Sequence, residues 1–370
     1  MLLGIRIRDP RPFTALNTRP QAQAWLPRIL FGVSPIGLGH ATRALVLREE
    51  LQRRGADVVM FSGGVAAEFI RGQGVKVEDI VEDPVPAFVN GEMKRASLWY
   101  IRSWMANRRT TPRTETLFDS HPHHVVVCDE EFSGMVVAER RREKRVFISD
   151  ELELGFARTW VARKIEGKVG RWYRRLQDSV DLLIVTEEGE DSGNRRFVGP
   201  IVRPPTMSPE ETRRRYALPE GSLVLVSMSG SGVGRELAAA LLEGLRKRGN
   251  HLPVVITGNR GPRIAAAGTY DIGVVPDNQN LVAAADVVVS AAGKSTIDEA
   301  ASAGTPIITI PIRHHAEQER NAAALGYGSG DVGRLAELVE SKIGKRMQPR
   351  AFSGEQKAAD EILSLVPANA

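Results

Sequence analysis

Residues 285–311, ADVVVSAAGKSTIDEAASAGTPIITIP, decide how the rest of the chain is read. An apolar run at 286–290 breaks at the small-residue turn 291–296. A helical segment follows over 296–302, and a second apolar run closes the stretch at 305–310. Strand, turn, helix and strand in so short a span make a βαβ unit with parallel strands. The same pattern extends upstream. Residues 223–227 and 253–257 read as strands, 236–248 as a helix stopped by Gly249, and 281–285 as a short helix. Farther back, 28–34, 57–61, 75–81, 124–128, 145–148 and 181–185 read as strands. Helices fall at 41–54, ended by Gly55, at 66–72 and near 134–142. Downstream, 355–365 carries an amphipathic helical pattern.

Between the two runs of α/β pattern lies FVGPIVRPPTMSP, residues 197–209, whose adjacent prolines block a regular element. A chain of 370 residues is long for one core and suits two. The expected division is a loose tail at 1–24, a first α/β domain at 25–199 and a second at 200–353. Residues 354–370 form a C-terminal helix and tail that can pack back on the first domain. The opening segment places Pro, Arg and Asn where a signal peptide needs an apolar stretch. No apolar run approaches the ~18–20 residues of a membrane span. With Cys128 as the only cysteine, no disulfide forms within the chain, and a reducing, cytoplasmic setting is expected.

The net charge of +5 asks for an anionic partner. Its distribution is uneven. Residues 94–109, KRASLWYIRSWMANRR, hold five basic and no acidic residues around Trp99, Tyr100 and Trp104. Residues 156–175 hold seven basic residues against Glu166, with Trp160, Trp172 and Tyr173. Such mixtures suit helices resting on an anionic membrane surface. They equally suit solvated helices whose aromatic residues enter the core.

Ligands of open α/β sheets bind at the carboxyl ends of strands, so the strand-to-helix turns carry the candidate chemistry. The first is SPIGLGH, 34–40, where Gly37 and Gly39 permit a tight turn ahead of a helix N-terminus and His40 stands at the cleft edge. A histidine there can take a proton from a hydroxyl acceptor. A second turn holds Ser229, Gly230, Ser231 and Gly232, whose successive N–H groups can cradle an anion. A third holds Gly293, Lys294, Ser295 and Thr296, placed to meet a diphosphate, with Glu299 one turn on as a carboxylate for two ribose hydroxyls. Its neighbour Asp298 reads as the solvated carboxylate of that helix. After the last strand, Glu317 and Gln318 can contact sugar hydroxyls.

A dinucleotide fingerprint is excluded: Thr42 replaces the third glycine of the first turn, and the next strand ends at Phe61-Ser62-Gly63 without a carboxylate. A P-loop is excluded because Val288 stands where its first glycine belongs. His121, His123 and His124, interrupted by Pro122, and the pair His314 and His315 read as loop residues, with no metal ligand set.

In this order the turns resemble the GT-B glycosyltransferases, α/β proteins of two Rossmann-like domains facing across a cleft. The likeness covers roughly residues 28–365. It is nearest the bacterial N-acetylglucosaminyltransferases that complete lipid II and their archaeal relatives. Residues 285–311, followed by EQERNA, are similar to that family's donor-binding signature. The resemblance implies that Glu299 holds the ribose, Glu317 and Gln318 the donor sugar, Val274 and Val275 the uracil, and Gly230–Gly232 the phosphates. It further implies an inverting transfer of a hexose or N-acetylhexosamine from a UDP-sugar to a hydroxyl acceptor. The UDP-sugar is then a co-substrate, with no cofactor or metal. His40 would be the base, oriented by Asp129, with Glu130, Glu131 and Asp150 as rival carboxylates. The Trp-rich basic segments in the acceptor half point to a lipid-linked acceptor and a peripheral place on the inner membrane face. The lipid II enzymes usually have Gln at the position of Glu317, which leaves the sugar open. Rival readings are a UDP-sugar hydrolase of the pseudaminic acid type, which shares the histidine turn, a sugar-nucleotide epimerase, and a basic nucleic-acid-binding protein. No recognised nucleic-acid module supports the last.

Overall fold

The computed structural model describes residues 26–82, 84, 87–89, 92–149, 159–228 and 233–367. The chain begins with β1 (Arg28–Val33), α1 (Gly39–Arg53), β2 (Asp57–Ser62), α2 (Gly64–Gly72) and β3 (Val77–Asp79). An antiparallel hairpin of β4 (Ala87–Val89) and β5 (Glu92–Lys94) precedes α3 (Ala96–Ser120). Then come β6 (Val125–Asp129), α4 (Phe132–Arg141), β7 (Lys144–Ser149), α5 (Trp160–Ser179), β8 (Leu182–Val185) and β9 (Arg195–Phe197). These strands form one parallel sheet in the order β3-β2-β1-β6-β7-β8-β9.

After α6 (Pro209–Arg215), which Ser208 and Glu211 open with a reciprocal capping box, a second parallel sheet is built. Its strands are β10 (Val224–Ser227), β11 (Val254–Thr257), β12 (Thr269–Gly273), β13 (Val287–Ser290) and β14 (Ile307–Thr309), in the order β12-β11-β10-β13-β14. Around it lie α7 (Val233–Lys247), α8 (Asn278–Ala284), α9 (Lys294–Ala303), α10 (Ala316–Ala324) and α11 (Leu335–Lys342). Each sheet carries a buried apolar layer on both faces, which is why its strands read as near-continuous runs of Val, Ile and Leu.

The last helix, α12 (Gly354–Ser364), returns to the first sheet and lies on α1. Ala358, Ala359 and Ile362 enter the same core as Ala44, Leu47 and Leu51. Arg54 pairs with Asp360 and donates to the Gln356 carbonyl at 3.1 Å, fixing the helix at its edge. Gly354 sits so close to the Gly199 and Pro200 carbonyls that a Cβ would lie 2.6 and 2.5 Å from their oxygens.

The two basic, aromatic segments behave differently by residue type. Tyr100 and Tyr173 are buried, whereas Trp104 and Trp160 are 59% and 67% exposed. The tyrosines join the interior, and three tryptophans, Trp104, Trp160 and Trp172, are exposed. Among the described residues no helix is long and apolar enough to cross a membrane.

Ile362 is fully buried where the last helix meets the first domain. Ile362→Ala is expected to destabilise the fold by about 2–5 kcal/mol, the range for such a buried truncation. Denaturant unfolding monitored through the tryptophans, all of which precede residue 173, checks it.

Candidate active site

Where β1 meets β6, the strand order reverses and Val33 pairs with Asp129. The chain leaves these two strands on opposite sides of the sheet: α1 packs in one core layer, α4 in the other. The opening between them is the usual ligand crevice of such a sheet. The loop after β1 delivers His40 in the first turn of α1, and β6 ends on Asp129.

His40 Nδ1 lies 2.8 Å from Asp129 Oδ1. Asp129 is wholly buried and takes two further hydrogen bonds from Arg43, Nε to Oδ2 at 2.7 Å and Nη2 to Oδ1 at 2.5 Å. Arg43 Nη1 donates to Thr186 Oγ1 at 3.0 Å, tying the group to the end of β8. Burial works to raise the Asp129 pKa, but the Arg43 and His40 charges and hydrogen bonds outweigh it and hold the carboxyl ionised. An ionised partner at Nδ1 favours a hydrogen there, although Arg43 Nη2 also approaches that nitrogen at 3.1 Å. Nε2 then lies on the side of Glu130, whose Oε2 is 3.7 Å away. Burial of the ring opposes its charge. Asp129, by charge and hydrogen bond, and Glu130 outweigh burial together with the Arg43 charge, and the His40 pKa rises to about 9.

A cavity of about 730 Å³ opens in front of His40, walled by both domains. On the first-domain side stand Trp99, Tyr100 and Trp104 of α3, Phe132 of α4, and Lys168, Trp172 and Tyr173 of α5. Across it lie Gly293, Lys294, Ser295 and Thr296 at the start of α9. The two helix N-termini nearly touch: a Cβ on Gly39 would sit 2.7 Å from Ser295 Oγ. Their positive dipole ends converge on one place. Glu299, Asn278, Arg203, Val274 and Val275 line the adjoining part, and Ile312, His315, Glu317 and Gln318 the remainder.

Glu299 is buried, and burial raises its pKa to about 7 against the Arg203 charge and a hydrogen bond from Asn278. A carboxyl so placed gains by accepting hydroxyl donors from a ligand. His315 is driven down to about 4, chiefly by burial and the Arg320 charge, and is neutral at pH 7. Gln318 Oε1 accepts from the Ile312 N–H at 3.0 Å, and Glu317 Oε1 from Asn321 Nδ2 at 3.2 Å.

Residues 267–357, the heart of the second domain, match the glycosyltransferase family 28 C-terminal domain. The chain is 29% identical over 247 residues to an uncharacterized glycosyltransferase of Methanopyrus kandleri, covering 60% of this chain and 69% of that one. It is 22% identical to the UDP-N-acetylglucosamine--N-acetylmuramyl-(pentapeptide) pyrophosphoryl-undecaprenol N-acetylglucosamine transferase of Deinococcus deserti, over 86% and 90% of the two chains. Among solved structures it resembles MurG of Acinetobacter baumannii, with a TM-score of 0.56 at 14% identity over 91% of this chain and 99% of that one. It also resembles SnogD of Streptomyces nogalater, with a TM-score of 0.57 at 18% identity over 93% and 97%. The chain is a GT-B glycosyltransferase.

In this glycosyltransferase the structure brings His40, Asp129, Gly37 and Gly39 to one wall of the cavity and the residues from Val274 to Gln318 to the other. Asp150, Ser229, Gly230, Ser231 and Gly232 lie outside the described residues. Two expectations change. Glu131 is no rival partner for His40, because its carboxylate is consumed as the N-cap of α4: Oε1 accepts from Ser133 N at 2.8 Å and Oε2 from Gly134 N at 2.7 Å. Asp298 is not a solvated carboxylate; it is buried and holds Lys294 Nζ at 2.6 Å. Lys294 therefore meets a ligand with its charge already shared. The reading from sequence also missed Arg43, whose signal was its place three residues after His40 on one helical face. Arg203, Asn278 and Lys168 were missed as well. Among the described residues no group of three or more His, Cys, Asp and Glu side chains is placed to hold a metal ion.

Arg43 and Asp129 form a buried ion pair. Arg43→Ala leaves the buried Asp129 carboxylate with His40 but without its guanidinium partner and is expected to destabilise the protein by about 3–5 kcal/mol. Denaturant titration reads this directly.

Proposed function

We propose that this glycosyltransferase moves a hexose or N-acetylhexosamine from a UDP-sugar to a hydroxyl of a lipid-linked acceptor, with inversion and without a metal ion. The observation that carries the reading is the His40–Asp129 pair, 2.8 Å apart, facing the family 28 domain across a shared cavity. The Deinococcus relative is named for a UDP-sugar donor and an undecaprenol-linked acceptor.

In this mechanism neutral His40 accepts the acceptor hydroxyl's proton at Nε2 while Asp129 holds Nδ1–H. The acceptor oxygen attacks the anomeric carbon, and the bond from that carbon to the diphosphate breaks. The diphosphate leaves with the electron pair. A single attack opposite the leaving group inverts the centre. The N-terminus of α9, Ser295, Thr296 and Lys294 meet the charge developing on the diphosphate, which is the work a metal ion does in other enzymes. Glu299 takes the ribose hydroxyls, Val274 and Val275 flank the uracil, and Glu317 and Gln318 contact the sugar. The aromatic wall built by α3 and α5 suits an acceptor far larger than water and favours transfer over hydrolysis.

The lipid-linked acceptor is supported by the exposed apolar residues of those helices. Trp104, which also borders the cavity, and Trp160 are exposed, as are Ile101, Met105 and Val161. Arg108 lies 5.0 Å over the Trp104 ring and Lys164 3.9 Å over the Trp160 ring. Exposed tryptophans with cations suit an anionic lipid surface, where each basic residue contributes about 1 kcal/mol.

Two variants separate the domains' roles. Glu299→Ala is expected to weaken UDP binding by ~1.5–3 kcal/mol, the worth of a charged hydrogen bond. His40→Ala is expected to abolish transfer with UDP affinity retained. Calorimetry and a radiolabelled-sugar assay measure these. Free sugar as the only product, at full wild-type rate, would support the hydrolase instead.

For the membrane surface, cosedimentation with anionic vesicles is expected at low salt, lost in high salt and in neutral vesicles. Replacing Trp104, Trp160, Arg108 and Lys164 together should remove it. A wild type that ignores anionic vesicles points to a soluble acceptor.

A further inference from the structure

Glu130 has no part in the mechanism above, yet its carboxylate stands at the one ring nitrogen that mechanism uses. Asp129 takes Nδ1 of His40 and Glu130 faces Nε2 at 3.7 Å, so the imidazole lies between two carboxylates. The placement is deliberate in three respects. Glu130 adopts a left-handed backbone, φ 46°, which a non-glycine residue holds only under local constraint. Its Oε1 is gripped by two hydroxyls, Ser149 Oγ at 2.9 Å and Tyr173 Oη at 3.3 Å, brought from β7 and α5. Its Oε2 is thereby turned to the cavity that the acceptor must enter. The gap to Nε2 is wider than a hydrogen bond.

We propose that Glu130 restrains His40 as an imidazolium in the resting enzyme, and that an acceptor hydroxyl entering between the two groups releases His40 to act as the base. This rests on the reading of His40 as base. In the resting state the Nε2 proton is held by the Glu130 charge, so water cannot be activated and the bound donor is spared hydrolysis. An acceptor hydroxyl that separates Oε2 from Nε2 weakens that hold, and the Nε2 proton passes to solvent. The acceptor O–H then donates to the vacated Nε2, its oxygen bonds to the anomeric carbon, and the diphosphate leaves with the electrons of the broken bond. The proton of the acceptor ends on Nε2. Glu130 is thus a positioning residue that couples the base to the presence of the correct nucleophile.

The charges around the ring agree with this. From α1 comes Arg43, and from the end of β6 come Asp129 and Glu130. Asp129 contributes most to keeping the ring charged, against the smaller opposing Arg43 charge, and the Glu130 charge adds to it at the nitrogen that faces the cavity. Tyr173 and Lys168 of α5 line the same wall; Lys294, Glu299, His315 and Glu317 stand on the opposite one. The elevation of the His40 pKa to about 9 includes Glu130 among its causes, after Asp129.

The test uses Glu130→Gln, which keeps shape and removes charge, and Glu130→Asp, which keeps charge. Ring-labelled histidine NMR, with the His40 signal identified by its loss in His40→Asn, follows the titration directly. The wild type is expected to titrate near pH 9, Glu130→Gln clearly lower, and Glu130→Asp closer to the wild type. Release of UDP from UDP-N-acetylglucosamine without acceptor is expected to rise at pH 7 in Glu130→Gln. The rise should be about tenfold for each pH unit of displacement and vanish above pH 9. An identical His40 titration in wild type and Glu130→Gln overturns the proposal, as does a wild-type ring that titrates near its ordinary value. Failure of the base assignment shows separately, as undiminished turnover in His40→Ala while the titration still answers to Glu130.

Discussion

Asp129 is an ionised carboxylate with no access to water, and the first domain is arranged to make that tolerable. A buried charge persists only when paired and fully hydrogen-bonded. Arg43 supplies two of those bonds and His40 a third, all from one face of α1. Thr186, at the end of β8, in turn fixes Arg43. Satisfying one carboxylate therefore sets the rotation of α1, the orientation of the histidine ring and the relation of three strand ends. The ring cannot be moved without exposing the charge beneath it.

Why the carboxylate stands there at all follows from topology. Parallel strands must be joined by crossovers, and at β1 and β6 the crossovers depart to opposite faces. The second sheet reverses in the same way at β10 and β13, where Ser227 pairs with Ser290. The turns that follow β1, β6 and β13, together with the starts of α1 and α9, line the cleft. The wall of the cavity from the second domain is polar and partly charge-paired in advance, through Lys294 and Asp298. The wall from the first domain is aromatic and presents large, adaptable contact area.

What could be read in advance followed from periodicity and turn chemistry. Fully buried parallel strands such as VVVCD and VVVS announce themselves as unbroken β-branched runs, and the turns after them mark the ligand crevice. His40, Asp129 and Glu299 were legible because they stand beside such runs. Of the 25-residue α3 only the first part was, within residues 94–109; its continuation to Ser120 was not, since Thr110-Thr111-Pro112 in its middle reads locally as a break. The role of Glu131 was also hidden. Glutamate is not among the favoured N-cap residues, and only the folded turn shows its oxygens spent on Ser133 and Gly134. Arg43 and Arg203 look in sequence like two of fifty basic residues. The burial of Arg43 against Asp129, and the place of Arg203 beside Glu299 in the cavity wall, are tertiary facts with no local signature.

The return of α12 to the first domain has a mechanical meaning. Because the helix is anchored in the core of α1, the chain passes between the two domains twice, near residues 198–208 and again near 343–353. The second passage is pinned to the second domain as it departs, by Met347 N to the Gly304 carbonyl and Arg350 N to the Ala301 carbonyl, both at 2.9 Å. A body joined to another by one tether can swing in any direction. Joined by two, it turns most easily about the line through both, as a door turns on its pins. Any widening of the cleft would thereby be steered toward a single rotation, which would return His40 and Ser295 to the same alignment.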